Sequence, residues 1–248
     1  MSAHPRSADG AASVDQVEAV LVVVPVHDEE DLLDAGLRAL DVAAESAAGV
    51  VDVSVTVVLD GCTDRSPEIA ARFPFRVVRA SARNVGAARA TGVEVALADL
   101  AARRPGVSPA KVWVASTDAD SQVPAHWITE HAAIARTGAD LVIGTVRPDV
   151  RDLTPAQRAA WSATHVPGVA NGHVHGANLG IRASVYLAAG GYPAIAEHED
   201  VELVAAARRL GVREVATDAC WVLTSGRTVG RTPGGYARHL RDSLVAAR

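Results

Sequence analysis

Four times before residue 146 an aliphatic run gives way to a polar loop and then to helical spacing, and this alternation restricts the fold most. Residues 19–24 are continuously aliphatic up to Pro25, as in a parallel strand buried on both faces. Leu32, Leu33, Leu37 and Leu40 then mark one face of a helix running to about residue 47. Residues 51–59 form a second strand ending on Asp60 and Gly61, after which Ser66 and Pro67 read as the N-cap and first position of a short helix to Arg72. A third strand at 76–79 precedes an Ala-rich helix at 84–102 with Asn84 as its cap. The run at 112–114 leads into Thr117, Asp118 and Asp120, Pro124 opens a helix to about residue 137, and residues 140–145 make a fifth strand. Each crossover helix has to cover a face of the sheet, so the pattern predicts an α/β fold with a right-handed, doubly wound, mostly parallel sheet.

After residue 147 the alternation loosens. A helix is expected at 155–164, a strand at 177–182, a helical turn at 183–189, a tight turn at 190–193, a helix at 201–210 ended by Gly211, a strand at 215–223 and a helical tail at 233–247. With 248 residues, one domain from 19 to 248 preceded by a disordered segment at 1–18 is the expectation. A net charge of -5 gives no general attraction to nucleic acid or anionic lipid. Cys62 and Cys220 have no metal-type spacing, no signal-like segment opens the chain, and no run is long enough to span a bilayer. A cytoplasmic protein without a transmembrane segment is therefore expected.

The strands end on acid. Glu29, Asp60, Asp118 and Asp120 all follow predicted parallel strands, and their carboxyl ends share one edge, where open α/β sheets bind ligands. Asp118 and Asp120 suit a hard divalent cation, Mg²⁺ or Mn²⁺, carrying a phosphate ligand, although Asp and Ser are also ordinary turn formers. Asp60 either accepts from a base N–H or caps its own turn. Arg83, Asn84 and Gly86 open a helix whose amino end can meet phosphate, and Arg89 lies either toward that site or on a solvated face. Neither a G-x-G-x-x-G nor a G-x-x-x-x-G-K-[ST] loop is present, which argues against dinucleotide enzymes and P-loop hydrolases. Arg227 and Arg231 belong either to a loop closing over a diphosphate or to a solvated one. His173 and His175 are surface or ligand-side residues, Trp113 reads as core, and Trp161 and Trp221 pack or stack on a sugar.

The ordered series P-V-H-D-E-E (25–30), V-V-L-D-G-C-T-D (57–64), R-N-V-G-A-A-R-A-T-G (83–92), T-D-A-D (117–120), H-G-A-N-L-G-I-R (175–182), G-G-Y-P (190–193) and H-E-D-V-E-L (198–203) resembles family 2 glycosyltransferases of the GT-A fold. That resemblance spans about residues 21–210. It implies inverting transfer of one sugar from a nucleoside-diphosphate sugar, UDP before GDP, to an unidentified hydroxyl acceptor. A nucleotide-sugar-binding half at 19–146 and an acceptor-binding half at 147–248 go with it. Position by position it implies Pro25, His27 and Glu29 beside the base, Asp60 binding it, Asp118 at the ribose side and Asp120 at the metal. Gly176 and Asn178 would face the donor sugar or acceptor, and Asp200, paired with Glu199, would be the catalytic base. Taken without the resemblance, Glu199 and Asp200 are equally the acids that stabilise a helix amino end.

Two departures narrow this. Cys62 stands where Ser is common, and no Q-x-x-R-W follows the 201–210 helix, where Arg208 and Arg209 stand instead. Single-sugar addition fits better than processive synthesis. The rival readings are a sugar-phosphate nucleotidylyltransferase, whose Gly-rich loop after the first strand is missing, and a catalytically silent sugar-nucleotide-binding protein.

Overall fold

The computed structural model describes residues 16–230 and 235–243. Its first half follows the predicted order: β1 (Ala19–Val26), α1 (Leu33–Ser46), β2 (Asp52–Asp60), α2 (Ser66–Ala70), β3 (Arg76–Ala80), α3 (Val85–Arg103), β4 (Val112–Ser116), β5 (Ser121–Gln122) and α4 (Trp127–Arg136). The remainder is β6 (Leu141–Pro148), α5 (Pro155–Thr164), β7 (Leu179–Arg182), α6 (Ala183–Ala188), α7 (Glu199–Arg209), β8 (Glu214–Thr224) and the short α8 (Tyr236–Arg238). One sheet takes all eight strands in the order β3-β2-β1-β4-β7-β6-β8-β5. β1 pairs in parallel with β2 and β4, β2 with β3 and β6 with β8, while β7 runs antiparallel between β4 and β6. This is a mixed α/β fold with a mostly parallel sheet.

Alternation along β1 divides the core. Val20, Val22 and Val24 join α1 residues Leu33, Leu37 and Leu40 and α4 residues Trp127 and Ile128 on one face. Leu21 and Val23 join α3 residues Ala88, Val93 and Leu100 and α7 residues Leu203 and Val204 on the other. Burying each such side chain contributes about 1.5–3 kcal/mol. Both faces are therefore sealed by helices.

Some boundaries differ for identifiable reasons. Ser66 does not cap α2: its Oγ accepts the Glu29 N–H at 3.0 Å, and its own N–H donates to Asp64 Oδ1 at 2.9 Å. β7 starts at Leu179 because residues Gly176–Asn178 make a 3-10 turn that turns the Asn178 side chain into the core. At the amino end Val17 is buried, and the Glu18 carbonyl accepts the Asp52 N–H at 3.1 Å, so packing begins within the segment expected to be disordered. β6 runs through residue 147, so the sheet is continuous across the expected division into halves. The expected tail helix at 233–247 is seen as α8, capped by Gly235, and a π turn at His239–Ser243; residues 233, 234 and 244–247 lie outside the described ones.

α3 lies unusually close to the sheet at Gly92, where an added Cβ would fall 2.9 Å from Val58 Cγ2 and closer still to Val23. Gly92→Ala sets a helix-propensity gain of about 1 kcal/mol against overpacking of about 1–3 kcal/mol. Contact with two β-branched side chains places it at the upper end. A net loss of about 2 kcal/mol is expected, read as a lower urea midpoint.

Candidate functional site

The carboxyl ends of β1, β2 and β4 open into a cavity of about 550 Å³. Pro25, His27, Glu29, Asp60, Arg83, Asp118, Asp120, Gly176, Asp200 and Arg227 all line it. Residues separated by up to 202 positions thus share one chamber because parallel strands deliver their loops to the same edge.

Asp60 is buried at the end of β2, and its carboxylate accepts the Arg83 N–H at 2.9 Å and the Asn84 N–H at 2.8 Å. His27 Nδ1 donates to the Asp60 carbonyl at 2.6 Å. Asn84 caps α3 as expected, its side chain accepting from Ala87 N–H at 2.9 Å. The backbone here is held by one aspartate.

Arg89, one turn into α3, is buried and its guanidinium bonds Asp118 on one side and Glu199 on the other. It also lies 5.8 Å from the Tyr192 ring centroid. Although burial opposes its charge, Asp118 and Glu199 outweigh that and hold its pKa above the usual arginine value. Glu199 and Asp200 open α7 after His198, which adopts a left-handed conformation at φ 64°. Asp200 takes a different environment from its neighbour: its Oδ2 accepts the Gly176 N–H at 2.6 Å and its Oδ1 the Val201 N–H at 2.8 Å. The Gly176 carbonyl accepts from Ser116 Oγ at 2.7 Å, and Ser116 meets Tyr192 Oη at 3.0 Å. An added Cβ at 176 would overlap the Arg89 guanidinium.

The sequence matches the family described as Glycosyl transferase family 2 over residues 21–184. The chain belongs to that family. The chain superposes on S. aureus TarS 1-349 in complex with UDP-GlcNAc with a TM-score of 0.63, at 14% identity, over 88% of this chain and 61% of that one. For the mannosyltransferase PcManGT from Pyrobaculum calidifontis in complex with GDP-Man and Mn2+ the TM-score is 0.59, at 19% identity, over 91% and 62%. For M. tuberculosis glucosyl-3-phosphoglycerate synthase it is 0.50, at 19% identity, over 94% and 81%. These likenesses are of fold, which is GT-A. The transferase spans about three fifths of the TarS and PcManGT chains. No curated protein matches this sequence.

Not every residue singled out in the transferase sequence reaches the cavity with a free hand. Asn178 does not face a sugar: it is wholly buried, its Oδ1 accepts from Trp127 Nε1 at 2.8 Å and His131 Nε2 at 3.3 Å, and its Nδ2 donates to the Thr145 and Cys220 carbonyls at 3.0 and 2.9 Å. Gly144 lacks a Cβ where Asn178 needs the space. Arg89 is committed to carboxylates and not to phosphate, and Glu199 is committed to Arg89, which removes it as a free base. Arg227 pairs with Glu29 and Asp120, and Arg231 lies outside the described residues. Trp161 stacks on His165 at 4.1 Å between centroids and Trp221 carries Arg147 at 4.3 Å; neither borders the cavity. Ser116, Tyr192 and Tyr236 were not anticipated, although Tyr192 lies in the G-G-Y-P motif. Tyr236 meets His175 edge to face at 5.3 Å, and burial pushes His175 down to about 4, leaving a neutral imidazole there.

The donor chemistry fits a hard cation. Asp118 and Asp120 carry carboxylate oxygens that could hold one, burial and the Asp118 charge push the Asp120 carboxyl up to about 6, and the Arg227 guanidinium lies against it. A second acidic set, Asp28, Cys62 and Asp64, has ligand atoms within 4.8 Å of one another. Its carboxylates accept backbone N–H groups of Thr63, Glu30 and Ser66, so it serves as a turn lock.

Replacing Asn178 with Ala would orphan four buried groups, costing at least about 3 kcal/mol in chemical denaturation while leaving donor affinity of the folded protein unchanged. His131, which shares that network, is pushed from 6.5 to about 4 chiefly by burial. The unfolded chain therefore takes up this proton first, so stability is full above pH 6.5 and falls as pH drops toward 4. Urea midpoints recorded across that interval check the sign.

Proposed function

We propose that the transferase moves one sugar from a nucleoside-diphosphate sugar, UDP before GDP, to an acceptor hydroxyl with inversion, Asp200 acting as general base. What carries this reading is the single cavity bordered by Asp60, Asp118, Asp120 and Asp200 together. The base of the nucleotide sits against Pro25, His27 and the Asp60–Arg83 backbone, the ribose near Asp118, and the acceptor enters past Gly176, His175 and Tyr236. Residues 19–146 are then the donor half and 147–248 the acceptor half.

Inversion needs one carboxylate opposite the leaving diphosphate to take the acceptor proton as the new bond forms. Of the two acids opening α7, Asp200 suits that task because its partners are backbone N–H groups, which leave carboxylate lone pairs to spare. Glu199 is neutralised by Arg89. A divalent cation, Mg²⁺ or Mn²⁺, held by Asp120 with Asp118, would offset charge on the leaving diphosphate. The residues themselves fix the positions: Ser116 and Tyr192 hold the Gly176 peptide, and that peptide holds Asp200.

Asp200→Asn is expected to lower kcat by roughly 10²–10⁴ with donor affinity retained, measured as nucleoside diphosphate release with an acceptor panel and by calorimetry with UDP and GDP. Glu199→Gln should act mainly on stability. If Glu199→Gln abolishes turnover while Asp200→Asn spares it, the base is misassigned. Release of diphosphate that EDTA suppresses supports cation-assisted transfer; consumption of pyrophosphate would instead indicate a nucleotidylyltransferase.

A further inference from the structure

Arg227 stands where a cation is wanted. Its two terminal nitrogens donate to the two oxygens of Glu29 at 2.7 and 2.6 Å, and the same guanidinium lies 3.0 Å from Asp120 Oδ2. Glu29 and Asp120 come from the loops after β1 and β4 and meet in the cavity. Two mostly buried carboxylates so placed repel each other, and the penalty is met only by a positive charge between them. Arg89 cannot supply it, being bound between Asp118 and Glu199.

The backbone carrying Arg227 is fixed. Ser225 N–H donates to the Asp120 carbonyl at 3.2 Å, Gly226 N–H to Asp152 Oδ2 at 2.9 Å, and Arg227 N–H to Ser225 Oγ at 3.2 Å. Gly226 is wedged so tightly that a Cβ would come 2.6 Å from the Asp149 carbonyl. Only the long side chain beyond this anchor is left to move, and it remains partly exposed to the cavity.

We infer that Arg227 is an internal counter-ion that holds the cation position of the free transferase, so that a divalent cation enters only as the guanidinium leaves and the freed guanidinium grips the incoming diphosphate. This rests on the donor-site reading above. The exchange keeps positive charge at Asp120: a divalent cation takes the place of the guanidinium there, and a planar fork suited to paired phosphate oxygens is released beside the diphosphate. Cation and nucleotide therefore bind with positive coupling, because each favours the same open arrangement.

Mn²⁺ binding by electron paramagnetic resonance, without turnover, tests it in the wild type, Arg227→Met and Arg227→Lys, each with and without UDP or GDP. Removing the guanidinium should tighten Mn²⁺ binding in the absence of nucleotide by about tenfold or more, the ratio set when the open site is a tenth or less of the population. Arg227→Met should also lose most of the tightening that nucleotide confers on the wild type, and Arg227→Lys should fall between them. Unchanged or weaker Mn²⁺ binding by Arg227→Met alone, with nucleotide-dependent binding still present in the wild type, overturns the exchange but leaves the donor site standing. Absence of Mn²⁺ binding in every protein even with nucleotide overturns both. Thermal unfolding of each variant, compared with wild type, separates a lost fold from a lost exchange.

Discussion

The packing of carboxylates along one edge of the sheet is the constraint around which this family 2 chain is built. Glu29, Asp118, Asp120, Glu199 and Asp200 converge there from two loops and a helix start, and such a cluster folds only if positive charge and N–H groups are interleaved with it. Two arginines and a few peptide groups do this unequally. Arg89 is sealed between Asp118 and Glu199, Arg227 bridges Glu29 and Asp120 at the surface of the chamber, and Asp200 receives only backbone donors. The inequality separates the two acids that open α7, because Glu199 is bound to a buried guanidinium while Asp200 is held by peptide N–H groups alone.

A second polar centre supports the other end of the sheet. Trp113, Trp127, His131 and Asn178 form a set of hydrogen bonds that joins β4, α4, the turn before β7 and the carbonyls of β6 and β8. Because Asn178 has both its donors and its acceptor occupied, the network tolerates only one arrangement, and Gly144 and Gly180 are bare where it needs room. This fixes the strands from which Gly176 and the Arg227 loop extend.

Much of this was legible because it depends on local patterning. Continuous aliphatic runs ending on acids gave β1, β2 and β4, and the shared edge followed from their being parallel. Asn84 as cap was readable from its place before an Ala-rich stretch. The burial of Asn178 is not legible in its H-G-A-N-L-G-I-R motif, because it comes from tryptophan and histidine partners on α4 that no spacing announces. Arg89 and Glu199, 110 positions apart, could not be paired from sequence, since nothing local distinguishes a buried arginine on a helix from a solvated one. The antiparallel β7 is hidden likewise: a four-residue strand reads the same in either direction.

The first turns of α3 have a further effect. Asn84 N–H is fastened to Asp60, and five residues later Arg89 is fastened to Asp118 and Glu199. A rise of about 1.5 Å per residue makes that interval roughly 7.5 Å. The spacing between Asp60 and the Asp118–Glu199 pair is consequently set by a rigid turn of helix.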